Sequence, residues 1–192
     1  MATTKPGKVR KKLRRAMVDH TLVRIERSIA RADVLDGYVV GVGDQWFLLH
    51  WLDQRIHLDG FVALRIEDVR RIDPARAGAF KREALELHGD WPPTMPIDRA
   101  ALDDTRALVL ALGASFPLLS LFPEIDDPNR CFIGTALHMK KRSVWMRCLS
   151  PEAEWIDEPW RWKLDDITRI EAGDGYSQAL HDVAGPAPTS ND

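Results

Sequence analysis

Six histidines, two cysteines and several adjacent carboxylates are the residues with which this chain could do chemistry. None stands at a spacing that commits it to a reaction. His20, His50, His57, His88, His138 and His181 form no close-set zinc pair, and Cys131 and Cys148 lie outside any C-x-x-C motif. His50, Asp53, His57 and Asp59 crowd one strand connection. Ligand types scattered through a hairpin arise often by chance, so no metal is expected. Gly41-Val42-Gly43 opens like a dinucleotide loop, but Asp44-Gln45-Trp46 follow where a further glycine and a helix are needed. Neither a G-x-S-x-G elbow nor a Walker lysine occurs. The pairs Asp103/Asp104, Asp126/Asp127 and Asp165/Asp166 could serve as general acid and base. Adjacent carboxylates more simply cap helices and fill turns. The reading is a non-catalytic protein with no cofactor.

Charge is the next source of chemistry, and it is unevenly spread. Seven of the 27 Lys and Arg fall at Lys5, Lys8, Arg10, Lys11, Lys12, Arg14 and Arg15, with no acid among them. The other 20 face 29 Asp and Glu, a balance of −9 against −2 for the whole chain. That total excludes a wholly basic nucleic-acid coat protein, but a cationic arm on an acidic body can reach phosphates. Lys8, Arg10, Lys11, Lys12, Arg14 and Arg15 are therefore candidate nucleic-acid contacts. Val9, Leu13, Ala16 and Met17 recur at helical spacing, which predicts an amphipathic helix with its cations in solvent. The longest uncharged run, Ala107 to Pro123, is broken by Pro117 and is shorter than the roughly 20 residues that span a bilayer. The basic N-terminus lacks the apolar stretch of a secretory signal. With two cysteines, a reduced cytoplasmic setting and no membrane partner are expected.

The elements that must carry these residues come in duplicate. Residues 61–73, FVALRIEDVRRID, and 159–171, PWRWKLDDITRIE, superpose at a shift of 98. Val62 meets Trp160, Leu64 meets Trp162, Asp68 meets Asp166, and Ile72 meets Ile170. Each segment alternates apolar with polar, breaks step at its acids and resumes, which describes a strand, a sharp turn and a short strand. Upstream, strands at Val23–Ile25, Gly37–Val42 and Trp46–Leu52 match Leu118–Phe122, Phe132–Met139 and Val144–Leu149, with one residue of difference in the hairpin at Lys140–Arg142. Helical patterns precede each set, at 8–18 and after a cap at Asp98 with a stop at Gly113. Others follow at about 76–88 and 174–183. The bridge from Asp90 to Pro96 carries three prolines and breaks any helix. Five short strands in isolation expose their edges, so each set should curl into a small barrel. The organisation predicted is a first unit at 1–88, a Pro-rich strap at 89–97, a second unit at 98–184 and a disordered tail at 185–192.

A helix followed by five strands in this rhythm resembles the Sm-like family of strongly bent, SH3-like barrels. Gly37 and Asp44 stand seven apart, as in the first Sm motif, and Val62-Ala63-Leu64-Arg65 with Val69 resembles the second. The resemblance covers about 8–73 and extends to 98–171. It implies two tandem five-stranded antiparallel barrels, in a mainly β protein with flanking helices. It also implies joining of a fourth strand to a neighbour's fifth, within the chain or between chains. Arg65 would be a nucleic-acid contact by the same analogy. RNA-binding members carry Asn where Phe47 stands and Gly where Ile66 and Leu164 stand, and the second unit has Lys141 in place of the acid. The reading is thus an interaction module that pairs with itself or another protein through barrel edges, with RNA binding through the basic arm as the alternative. The seven tryptophans fit two small cores and the surface between them. Trp46 and Trp51, of opposite parity on one strand, must face different sides.

Overall fold

The structure, a computed structural model, describes residues 5–125, 127–128 and 130–188. Helix α1 (Pro6–Val18) begins at Pro6, whose fixed φ suits a first turn, and buries Val9, Leu13 and Ala16. Five strands follow: β1 (Leu22–Arg27), β2 (Leu35–Val42), β3 (Trp46–Leu52), β4 (Leu58–Arg65) and β5 (Val69–Pro74). Helix α2 (Gly78–His88) closes this half and buries only Leu85. In the second half, Asp98 caps a 3-10 segment at Arg99–Asp103. Asp104, in an extended conformation, then interrupts the helix and caps α3 (Thr105–Ser115) through Ala107 N–H. The single helix expected from Asp98 to Gly113 is therefore two pieces, and Gly113 lies inside α3. Strands β6 (Leu119–Phe122), β7 (Phe132–Lys140), β8 (Ser143–Cys148), β9 (Trp160–Lys163) and β10 (Arg169–Ala172) lead to α4 (Gly175–Ala184).

All ten strands share one antiparallel sheet, ordered β5-β1-β2-β3-β4-β10-β6-β7-β8-β9. Each half repeats the sequence fifth, first, second, third, fourth. The correspondence extends to defects. The β2–β3 ladder slips between Val39 and Gly41, and β7–β8 slips between Ala136 and His138, 97 residues on. Gly37 in β2 has a counterpart in Gly134 of β7. A Cβ on Gly37 would stand 2.8 Å from the His50 carbonyl oxygen, and one on Gly134 would collide with the Arg147 carbonyl. The bend of the second strand needs a missing side chain in both halves.

Two separately closed barrels are expected from the sequence; the structure is one open sheet, closed by strand pairing in neither half. The cause lies at β4, whose free edge is paired along β10 from Leu64↔Arg169 to Phe61↔Ala172. An edge satisfied by a partner strand has no need to curl onto its own sheet. The cores follow this junction. One lies within the first half, where α1 and all five strands contribute, among them Leu13, Ile25, Phe47, Leu64 and Ile72. The other crosses the boundary: Trp46, Leu48 and Ala63 pack with Leu102, Leu108, Leu112 and Ile170. The strap is packed as well, with Met95 and Ile97 against this second cluster. Trp46 and Trp51 face opposite cores, and the double-sided burial of β3 follows. No helix of the described residues is long and apolar enough to cross a membrane. The tail expected from 185 is described only to Pro188, whose carbonyl accepts from Arg147 Nη1 at 3.0 Å; residues 189–192 lie outside the described residues.

Glycine substitutions separate these constraints. Gly134→Ala should lower stability by roughly 1–3 kcal/mol, because backbone must move. Gly113→Ala, where a Cβ meets only Leu119 Cδ1 at 3.8 Å, should raise stability by about 0.5–1 kcal/mol. Chemical denaturation of both variants measures the contrast.

Candidate functional site

Two of the regions that gather polar side chains, the junction and the outer face of β7–β9, differ in whether anything is left to bind a ligand. The first is the junction. Arg65, at the end of β4, reaches across it: Nε donates to the Ile167 carbonyl at 2.7 Å, and Nη2 to those of Leu164 and Asp165 at 2.9 and 3.1 Å. Its guanidinium lies 5.2 Å from the centre of the Trp46 ring, whose Nε1 donates to Thr105 Oγ1 at 3.1 Å. Nearby, Asp44 N–H donates to Asp103 Oδ1 and Arg10 Nη2 donates to the Asp44 carbonyl. Arg10, Asp44, Arg65, Thr105 and Asp165 line a cavity of about 370 Å³ between the halves. Most donors of Arg65 are engaged by backbone, so the residue that the resemblance assigns to nucleic acid acts here as a clamp between halves.

A buried ion pair reinforces the clamp. Arg27, at the end of β1, forms a two-pronged pair with Glu124; the Nη2–Oε1 distance is 2.7 Å, and both side chains are 1% exposed or less. Thr168 Oγ1 donates to Glu124 at 2.8 Å. Arg169 adds ion pairs to Asp33 and Glu171 and lies over the Phe122 ring. The strands β1 and β6 are five positions apart in the sheet, yet Arg27 meets the residue two beyond β6. The sheet must bend back on itself for that contact. Losing one member would strand a buried charge, at about 3–5 kcal/mol.

The second region is the outer face of β7–β9. Register places Lys140 beside Ser143 and Lys163, and His138 beside Trp145 and Arg161. The Trp145 ring stacks on His138 at 4.5 Å, with Lys140 Nζ at 5.2 Å and the Arg161 guanidinium at 5.3 Å. His138, Lys140, Arg161 and Lys163 are exposed, as is Lys141 in the hairpin. In the first half the matching face, Trp46 and Leu48, is covered by α3 and the 3-10 segment before it. Among the described residues Trp145 joins no hydrophobic cluster, and it stays half-buried. The acids Glu152, Glu154, Asp157 and Glu158 lie in the β8–β9 connection, at the far end of these strands from Lys140 and Lys163. At the near end Lys140, Lys141 and Lys163 outnumber Asp165 and Asp166, and Asp165 is paired with Arg142, so that end of the face is net cationic.

The remaining sequence-derived candidates fall as follows. Lys8, Lys11, Lys12, Arg14 and Arg15 are exposed on α1, and Arg10 is half-buried at the junction. Of the carboxylate pairs, Asp104 caps α3, Asp103 accepts from Asp44 N–H across the junction, and Asp165 pairs with Arg142 at 2.6 Å, which holds its carboxyl below the usual range. Asp126 lies outside the described residues. The four-residue cluster of the β3–β4 connection does not assemble. Asp53 accepts from the backbone of Arg55 and His57, and Asp59 accepts from Gly175 N–H. His57 instead meets His88 and Asp90. Three groups were beyond sequence reasoning: the Arg27–Glu124 pair, the meeting of His57 with His88 and Asp90, and the alignment of Lys140 and Arg161 on Trp145, which needs the register of three strands.

The free edges of the sheet are β5 and β9. Copying the β4–β10 junction onto them would set Arg161 opposite Ile72 and Pro159 opposite Pro74. The bond from Ala75 N–H to the Leu22 carbonyl turns the Pro74 nitrogen outward, toward that edge. A rung between two prolines has no donor on either side. Comparison with known protein families, characterised proteins and solved structures finds no match.

His50 supplies a pH test of the junction's surroundings. Its ring stacks on Phe61 at 4.3 Å, its Nδ1 is buried, and burial lowers its pKa to about 4 from 6.5, opposed by the charge of Asp90. The unfolded chain takes up that proton first, so the contribution of His50 is intact above about pH 6.5 and is lost as pH falls toward 4. Burial raises Glu171 and Asp68 instead, which favours folding in acid in any variant. Denaturation at pH 7 and pH 5 should show a smaller loss for His50→Phe than for the unaltered chain.

Proposed function

We propose that this chain is a non-catalytic binding module: two Sm-like units joined edge to edge into one platform, which holds single-stranded RNA on the outer face of β7–β9. The Trp145 cluster carries the reading. A flat aromatic pair flanked by exposed cations suits a nucleotide, whose base stacks while its phosphate meets Lys or Arg. The face offers no rigid set of acceptors and donors to read one base, so the binding is sequence-tolerant. The cations of α1 add a second basic surface, which supports a long polyanion over a small ligand. Pairing between chains through β5 and β9 is the weaker alternative, because prolines remove one rung and the approach sets α1 cations against Lys140, Arg161 and Lys163.

The test is fluorescence anisotropy with oligo-uridine in low salt, on the full chain, since removal of α1 would strip three buried core residues. Binding should weaken with salt. Trp145→Leu should lose roughly fivefold to a hundredfold, from the ~1–3 kcal/mol of one stacked base. The double change Lys140→Glu with Lys163→Glu should lose more than tenfold, and the same charge reversals at Lys11 and Lys12 should lose less. Unchanged affinity in the first two variants, or no binding at low salt, contradicts the proposal. Light scattering should return the mass of one chain, 21.8 kDa, at every concentration.

A further inference from the structure

The structure assigns a second binding site, independent of the Trp145 face: His57, His88 and Asp90 form a site for one divalent first-row transition cation, of the zinc class. Three separate elements deliver these side chains. His57 ends the β3–β4 turn, where its N–H donates to Asp53 Oδ1 at 2.8 Å. His88 is the last residue of α2. Gly89 follows with φ +80°, and the chain folds back so that Asp90 N–H donates to the Leu85 carbonyl at 3.0 Å. That left-handed cap returns Asp90 to the end of the helix, beside His88. The ligand atoms of all three residues lie within 4.8 Å of one another. The His57 and His88 rings stack at 4.5 Å, and His57 Nδ1 lies 2.8 Å from Asp90 Oδ2.

The donor set selects the class of ion. Two imidazoles with one carboxylate suit zinc, cobalt, nickel or copper, whereas magnesium and calcium prefer oxygen throughout. Donors around a tetrahedral zinc stand about 3.4 Å apart for bonds of about 2.0–2.1 Å. His57, His88 and Asp90 are half-buried or exposed, so side-chain rotation can close the set on an ion without moving the strands. Water completes the coordination on the open side. A bound ion would tie α2, whose one buried residue is Leu85, to the β3–β4 turn and to the start of the strap. Its role is a staple between the first half and the segment that leads into the second.

Zinc titration of chelator-stripped full-length protein by calorimetry tests this, together with cobalt titration followed by visible absorption. The expectation is one ion per chain, a higher Tm with zinc than without, and no such rise with magnesium. His88→Ala, at an exposed position, should keep the metal-free circular dichroism, lose the rise in Tm on adding zinc, and weaken zinc binding by roughly tenfold or more; Asp90→Asn should do the same to binding. No stoichiometric binding, or His88→Ala binding as tightly as the unaltered chain, overturns the assignment. Neither outcome bears on oligo-uridine binding.

Discussion

An unpaired strand edge is the constraint around which this molecule is built. Five short strands leave two rows of backbone donors and acceptors, and each row must find a partner, be covered, or be made unfit for pairing. The chain uses two of these solutions. The β4 edge of the first half is given to β10 of the second, in register over four residues. The remaining edges carry prolines: Pro74 is the last residue of β5, and Pro159 precedes the four-residue β9. Duplication makes the first solution available, since a unit that has one edge of each kind can satisfy a copy of itself. It also creates the hazard that copies continue to add, and the prolines and cations at the outer edges oppose that.

Fixing the junction falls to a few charged side chains that are withdrawn from water. Main-chain pairing over four residues does not by itself exclude a slip, and a slip of one would turn β10 inside out. Arg65 accepts only the register that presents the carbonyls of Leu164, Asp165 and Ile167 together. Arg27 and Glu124 require that the curved sheet bring β1 back to the segment after β6. The proposed binding of a polyanion and the fixing of the fold thus call on the same residue types. What distinguishes them is burial: Arg27 and Arg65 are enclosed, whereas Lys140, Arg161 and Lys163 remain in solvent.

Much of the secondary structure is legible in the sequence, because strands that are buried on one face alternate and those buried on both do not. Val62 to Leu64 against Trp160 to Trp162 shows the repeat directly. The bend glycine of the second half is hidden, because one residue of difference in the hairpin moves Gly134 from a shift of 98 to 97. Closure is not legible at all. Whether β4 curls toward its own sheet or joins β10 depends on a partner a hundred residues away, and alternation looks the same in both cases. The His57, His88 and Asp90 grouping is invisible for a related reason: it depends on a left-handed cap at Gly89, not on ligand spacing along a strand.

The single sheet is the claim on which the rest stands, and nuclear Overhauser spectroscopy tests it directly. Val62 and Glu171 face each other as a non-hydrogen-bonded antiparallel pair. Their α-protons should give a strong cross-peak that vanishes in an isotope-filtered mixture of labelled and unlabelled chains, and the amides of Ala63 and Ile170 should exchange slowly. Absence of the cross-peak, with rapid exchange at Ala63 and Ile170, would mean that the halves fold apart.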